Sequence, residues 1–90
     1  MANYRLRIKP SAGKELEAVG QRKDRERLVE RIRFLGREPR PHGCEKLAGQ
    51  AERYRVRVGS YRIVYSIDDR AAEVHVVKAG HRKDVYRGSG

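Results

Sequence analysis

The sequence predicts an α+β domain in which two helices pack on one face of a small antiparallel sheet, in the order β-α-α-β-β-β. Three observations predict it. Tyr4–Ile8, Arg53–Val58 and Tyr61–Ile67 alternate apolar and polar side chains with the two-residue period of a strand. Residues 24 to 35 instead place Leu28, Val29, Ile32 and Leu35 on one helical stripe. The three prolines and most of the nine glycines fall between these patterned segments. Ninety residues, 38% apolar and 38% charged, suit one domain with a small core and a heavily charged surface. Residues 1–87 are read as that single domain, and Gly88-Ser89-Gly90 as a flexible tail.

The first strand turns Tyr4, Leu6 and Ile8 inward and stops at Pro10. Ser11 is the expected N-cap of a short helix carrying Leu16 and Val19, which Gly20 ends. The second helix begins near Asp24 and is expected to end at Gly36 and Pro39. Glu26 and Glu30 each have an arginine three or four residues away, so the polar face of this helix is expected to carry weak ion pairs. Residues 36–52 read as loop, with Leu47 anchoring it to the core. Gly59-Ser60 joins two strands as a type II′ hairpin turn. A looser polar turn at 68–73 leads to a last strand, Val74–Lys78.

The two-residue turn fixes the hairpin register. Val58 faces Tyr61, Arg57 faces Arg62, Val56 faces Ile63 and Tyr54 faces Tyr65. One face then carries Arg53, Arg55, Arg57 and Arg62, and no acid occurs between Arg53 and Ile67. Two cations placed directly opposite disfavour a sheet. A purely structural strand pair would do better with glutamate or threonine opposite arginine. Guanidinium forks match phosphate oxygens in pairs, so this face reads as a phosphate-binding surface. The net charge of +10 fits a polyanionic partner or an acidic protein. If residues 69–72 form a four-residue turn, His75, Val77 and Ala79 share the arginine face. Gly80 then lets His81, Arg82 and Tyr86 bend back over it.

Other chemistries have little support. His42, His75 and His81 lack metal-ligand spacing, and no metal or cofactor is expected. Cys44, the single cysteine, has no base partner for nucleophilic work and cannot form an internal disulfide, which points to a reducing, cytoplasmic setting. There is no glycine-rich phosphate loop, no signal-peptide pattern and no run long and apolar enough for a membrane. The remaining reading is RNA cleavage by the substrate's own 2′-hydroxyl. Arginines would hold the charge on the phosphorane-like transition state. Tyr86 is the candidate base, because nearby cations favour the phenolate. The leaving 5′ oxygen is left to Arg82, as a charge-assisted donor, or to His81, as a true acid. Lys46 reads as a solvated loop lysine.

The run "KLAGQAERYRVRVGSYRIVYSID", followed by "GHRKDVY", resembles the RelE branch of the RelE/ParE toxin superfamily. The resemblance covers essentially the whole domain. It implies the toxin of a type II toxin–antitoxin pair, a metal-independent endonuclease that cuts mRNA in the ribosomal A site. Its basic catalytic positions fall on Arg55 and Arg57, where the family commonly has lysine, and on Arg62. Its C-terminal arginine and tyrosine fall on Arg82 and Tyr86. Arginine in place of lysine preserves charge but suits a proton acceptor poorly, which shifts the base toward Tyr86. His81, Arg53 and Lys46 are supporting candidates. The implied partners are an antitoxin with an acidic covering segment, the ribosome and mRNA, with no membrane and no direct reading of DNA. A ParE-like gyrase inhibitor, a non-catalytic basic RNA-binding module and a toxin retained only for its partner are the competing readings.

Overall fold

The computed structural model describes residues 3–49 and 52–81 of the chain. Its elements are β1 (Arg5–Ile8), α1 (Pro10–Glu17), α2 (Arg22–Arg37), β2 (Glu45–Lys46), β3 (Arg53–Val58), β4 (Tyr61–Asp68) and β5 (Glu73–His81). They form one five-stranded sheet in the order β1-β5-β4-β3-β2. The three long strands make the expected antiparallel meander, and the helices cover one side. Two features of the sheet are additional. β1 joins the outer edge of β5 as a parallel pair, with Leu6 opposite Val74. The loop after α2 also contains β2, a two-residue strand antiparallel to β3 that places Glu45 opposite Arg55 and Lys46 opposite Tyr54.

Local chemistry moves several boundaries. Pro10, rather than Ser11, opens α1, with Lys9 as the N-cap. Proline suits a first helical turn because its φ is already helical and its missing N–H would have had no partner there. Gly36 lies inside α2, and the helix runs one residue further, to Arg37. The missing side chain lets β1 approach the helix. The Tyr4 N–H donates to the Gly36 carbonyl at 2.7 Å, and a Cβ on Gly36 would lie 3.1 Å from the Tyr4 carbonyl oxygen. Ile8, expected inward, is 45% exposed. It ends an edge strand that has no further strand outside it. Of the ion pairs expected along α2, the described residues include the Arg22–Glu26 pair at 3.2 Å.

The hairpin register is as expected at every position, including Arg57 opposite Arg62. Gly59 adopts φ +61° and Ser60 stays out of the left-handed region, as a type II′ turn requires. Leu28, Ile32 and Leu35 of α2, with Ala12 and Leu16 of α1, pack on Val56, Ile63, Tyr65, Val74 and Val76. Leu47 is partly buried, and its N–H donates to the Arg53 carbonyl at 2.8 Å.

One expectation about β5 is corrected. The strand pairs Lys78 with Val64 but Val76 with Tyr65, so Val77 is an unopposed bulge residue. An extra residue reverses the inward–outward alternation beyond it. His75, opposite Ser66, therefore lies on the arginine face, whereas Ala79 lies in the core.

A polar clamp ties the loops together at one end of the sheet. Arg40 donates to Asp69 at 2.9 Å, to Glu52 at 3.4 Å and to the Tyr54 hydroxyl at 3.1 Å. Its guanidinium also lies 5.3 Å from the centre of the Tyr54 ring. The Tyr4 hydroxyl donates to Asp69 at 2.7 Å. Hydrogen bonds from Arg40 first, then from Tyr4, hold the Asp69 carboxyl below the ordinary aspartate range. A carboxylate whose folded pKa is depressed contributes stability in full above its unfolded value, near about pH 4, and loses it as the pH falls through the lower folded value. Asp69→Asn is expected to lower the melting temperature at pH 7 and to flatten the acid limb of the stability profile below about pH 4. Thermal denaturation of both proteins from pH 2 to pH 8 checks this, and parallel acid limbs would contradict it.

Among the described residues, no helix is long and apolar enough to cross a membrane.

Candidate functional site

The side of the sheet away from the helices carries the candidate site. β3 contributes Arg53, Arg55 and Arg57 at alternate positions, and β4 contributes Arg62, Val64 and Ser66. The alternation follows from pairing: Tyr54 and Val56 are drawn into the core, so the residues between them must leave on the other side. Arg53, Arg55, Arg57 and Arg62 thus share one surface.

Their environments differ. The Arg57 side chain is 64% exposed and that of Arg55 13%. Arg62, on the central strand, is 7% exposed, the one buried charged residue among the described residues. A cation held in such a place acts through a lower effective dielectric than one at the surface. Arg53 is exposed at the start of β3, opposite Ser66.

The expectation that this face lacks acid holds within residues 53–67 but not for the folded face. Strand β2 brings Glu45 beside the row. Arg55 Nη2 donates to Glu45 Oε2 at 2.9 Å, and Arg57 Nη2 is 3.8 Å from Glu45 Oε1. Pairing across β2 and β3 thus relieves like-charge repulsion that the hairpin alone would carry.

The supporting candidates separate. Lys46 pairs with Tyr54 and so leaves on the helix side, where its Nζ is 3.8 Å from Glu52. His81 pairs with Tyr61, and their rings meet edge to face at 5.7 Å. It lines a small cleft with Glu15, Val19 and Gly20, on the side of α1. The bulge at Val77 causes this, because it sets the parity of everything after it. The fold therefore does not bring Lys46 or His81 onto the arginine face. Arg82 and Tyr86, like the tail at 88–90, lie outside the described residues.

At the far end of the face, His75 Nε2 is 2.9 Å from Glu73 Oε1, and Arg7 Nε donates to Glu73 Oε2 at 3.3 Å. These bonds, that from His75 first, hold the Glu73 carboxyl below the ordinary glutamate range. Glu73 thus offsets part of the positive charge of Arg5 and Arg7 at this end of the sheet. Sequence reasoning had no sign of Glu45 beyond its position ten residues before Arg55, across a glycine-containing loop.

A pair of helices packed on a five-stranded, mostly antiparallel sheet is the arrangement of the small toxins of the RelE/ParE superfamily. The comparisons agree. The chain belongs to the ParE toxin family of the type II toxin–antitoxin system parDE, whose family model matches residues 6–86. Toxin RelG of Mycobacterium tuberculosis is 38% identical over 53 residues, which is 59% of this chain and 61% of RelG, so the match spans less than two thirds of that relative. The fold is shared with the toxin–antitoxin complex RelBE2 of M. tuberculosis, at a TM-score of 0.78 and 28% identity over 89% of this chain and 99% of that one. It is shared equally with the archaeal RelE–RelB complex of Pyrococcus horikoshii OT3, at a TM-score of 0.78 and 27% identity over 98% and 99%. A double arginine-to-alanine mutant of the E. coli toxin RelE, in the free state, gives a TM-score of 0.77 and 31% identity over 97% and 93%.

Proposed function

We propose that this type II toxin is a ribosome-dependent mRNA endonuclease, with residues 1–87 as its toxin domain. The observation that carries the reading is the Arg57–Arg62 pair, two guanidinium groups directly opposite each other on the side of the sheet away from the core. Like charges placed directly opposite disfavour a sheet, and an anion that bridges them adds a favourable contact. RNA phosphate is an anion of the right geometry.

In this reading the substrate's 2′ oxygen attacks the adjacent phosphorus, its proton passes to a base, and the 5′ oxygen leaves with a proton, giving a cyclic phosphate and a free 5′ hydroxyl. Arg55, Arg57 and Arg62 hold the charge that accumulates on the phosphoryl oxygens. Tyr86 takes the 2′ proton and Arg82 stabilises the leaving oxygen. No step is given to His81 or Lys46, which the sheet carries to its other side. The partners are mRNA on the ribosome, in the cytoplasm, and a cognate antitoxin whose acidic segment complements the +10 charge. The toxin–antitoxin complexes among the structural neighbours support that pairing.

The ParE family match favours a second reading, inhibition of DNA gyrase without RNA cleavage. Induction of the toxin without its partner, followed by mapping of transcript ends, separates the two. The expected result is arrested translation with new mRNA ends only on ribosome-engaged transcripts, and loss of those ends in Tyr86→Phe. Trapped gyrase with intact transcripts would replace the first reading by the second.

A further inference from the structure

Glu45 lies against two arginines of the hairpin row. Its two carboxylate oxygens reach successive arginines of the row, Oε2 to Arg55 at 2.9 Å and Oε1 to Arg57 at 3.8 Å. Arg55 is 13% exposed and Glu45 49%, so the carboxylate is the more accessible member of the pair. The carboxylate is carried by a strand of two residues at the edge of the sheet, paired to β3 alone. Such a support is easily moved, because few backbone hydrogen bonds fix it.

We propose that Glu45 is a built-in phosphate surrogate. It holds the forks of Arg55 and Arg57 in place in the resting protein and is displaced when an external phosphate binds. A carboxylate and a phosphate present the same pair of acceptor oxygens to a guanidinium, so each can occupy the other's place. The affinity of the face for anions is then the difference between the incoming contacts and the Glu45 contacts that are given up. Glu45 is in this sense a positioning residue that keeps resting affinity low. That the displacing anion is RNA phosphate rests on the proposed function; the surrogate role does not.

Glu45→Gln removes the charge and keeps the shape. Titration with inorganic pyrophosphate, by calorimetry and by thermal shift, is expected to show roughly tenfold tighter binding by E45Q, the scale of one charge-assisted contact that need no longer be displaced. Adding Arg55→Ala to E45Q should abolish the gain. With a single-stranded RNA oligonucleotide, E45Q should steepen the dependence of log affinity on log salt by about 0.7, the value of one further phosphate contact. Glu45→Asp, which keeps the charge but retracts it, should tighten pyrophosphate binding less than E45Q and serves as the reporter if E45Q is poorly folded. Unchanged or weaker pyrophosphate binding by the folded variants, or no binding by any form, overturns the proposal. Tighter pyrophosphate binding without oligonucleotide binding leaves the surrogate standing and removes RNA as its ligand.

Discussion

In the proposed reaction, replacing Arg62 with alanine is expected to lower mRNA cleavage by about two to three orders of magnitude, the usual scale for one preorganised group that stabilises transition-state charge. Arg62 is singled out by position rather than by charge alone. It sits on the central strand, it is buried, and Arg57 lies directly across from it. Arg57 and Arg53 are more exposed, so water and salt screen them more strongly. The fold should survive the change. Alanine removes the packing of the aliphatic stem but also removes a like-charge opposition, worth about 0.2–1 kcal/mol in the other direction. Arg62→Met keeps the stem and should be as inactive as Arg62→Ala, with a melting temperature nearer the parent. Arg62→Lys keeps the charge without the fork and should fall between parent and alanine. Transcript-end mapping on translating ribosomes, with thermal denaturation of each variant, provides the measurements. An Arg62→Ala protein that cleaves like the parent would remove the guanidinium pair from the mechanism.

What the residues disclosed in advance was set by the range of the forces involved. The hairpin was readable because its register depends on the two residues Gly59 and Ser60, which are local. The buried stripe of α2 was readable because Leu28, Ile32 and Leu35 repeat within three turns. Strand β2 was not, since two residues have no period, and its existence depends on a partner that begins eight residues after Glu45. The bulge at Val77 leaves no mark on the alternation of Val74 to Ala79 that would show which residue is extra. It decides nonetheless that Ala79 packs in the core and that His81 faces Tyr61. The arginine row was therefore legible, while the acid beside it and the side of the sheet reached by His81 were not. Both errors concern which elements meet, and neither concerns what the elements are.

Truncating Tyr65 to alanine is expected to have the largest effect on stability of any single change in β4. Its ring is fully buried and stacks on Tyr54, with centroids 5.8 Å apart, and its hydroxyl donates to the Pro39 carbonyl at 2.7 Å. Burial first, then the neighbouring Cys44, pushes the phenol well above its usual range, so it remains a donor throughout the physiological range. Loss of a large buried ring costs about 3–5 kcal/mol. A small domain has about 5–15 kcal/mol in total, so Tyr65→Ala should be partly unfolded at 37 °C. Tyr65→Phe isolates the hydroxyl. It leaves the Pro39 carbonyl without this donor and should cost about 1–2 kcal/mol. In a domain of this size that corresponds to a fall of roughly 5–15 °C in melting temperature. The loss should also be felt on the arginine face. Pro39 precedes Arg40, which clamps Glu52 and Asp69, and the same loop continues through Cys44 into Glu45. If Tyr65 anchors that loop, Tyr65→Phe should loosen β2 as well as lower the melting point, and amide exchange at Glu45 and Lys46 should accelerate by more than in the β3–β4 hairpin. A Tyr65→Phe protein with unchanged exchange at β2 would show that the Arg40 clamp alone holds the loop, and that the hydroxyl stabilises only its immediate surroundings.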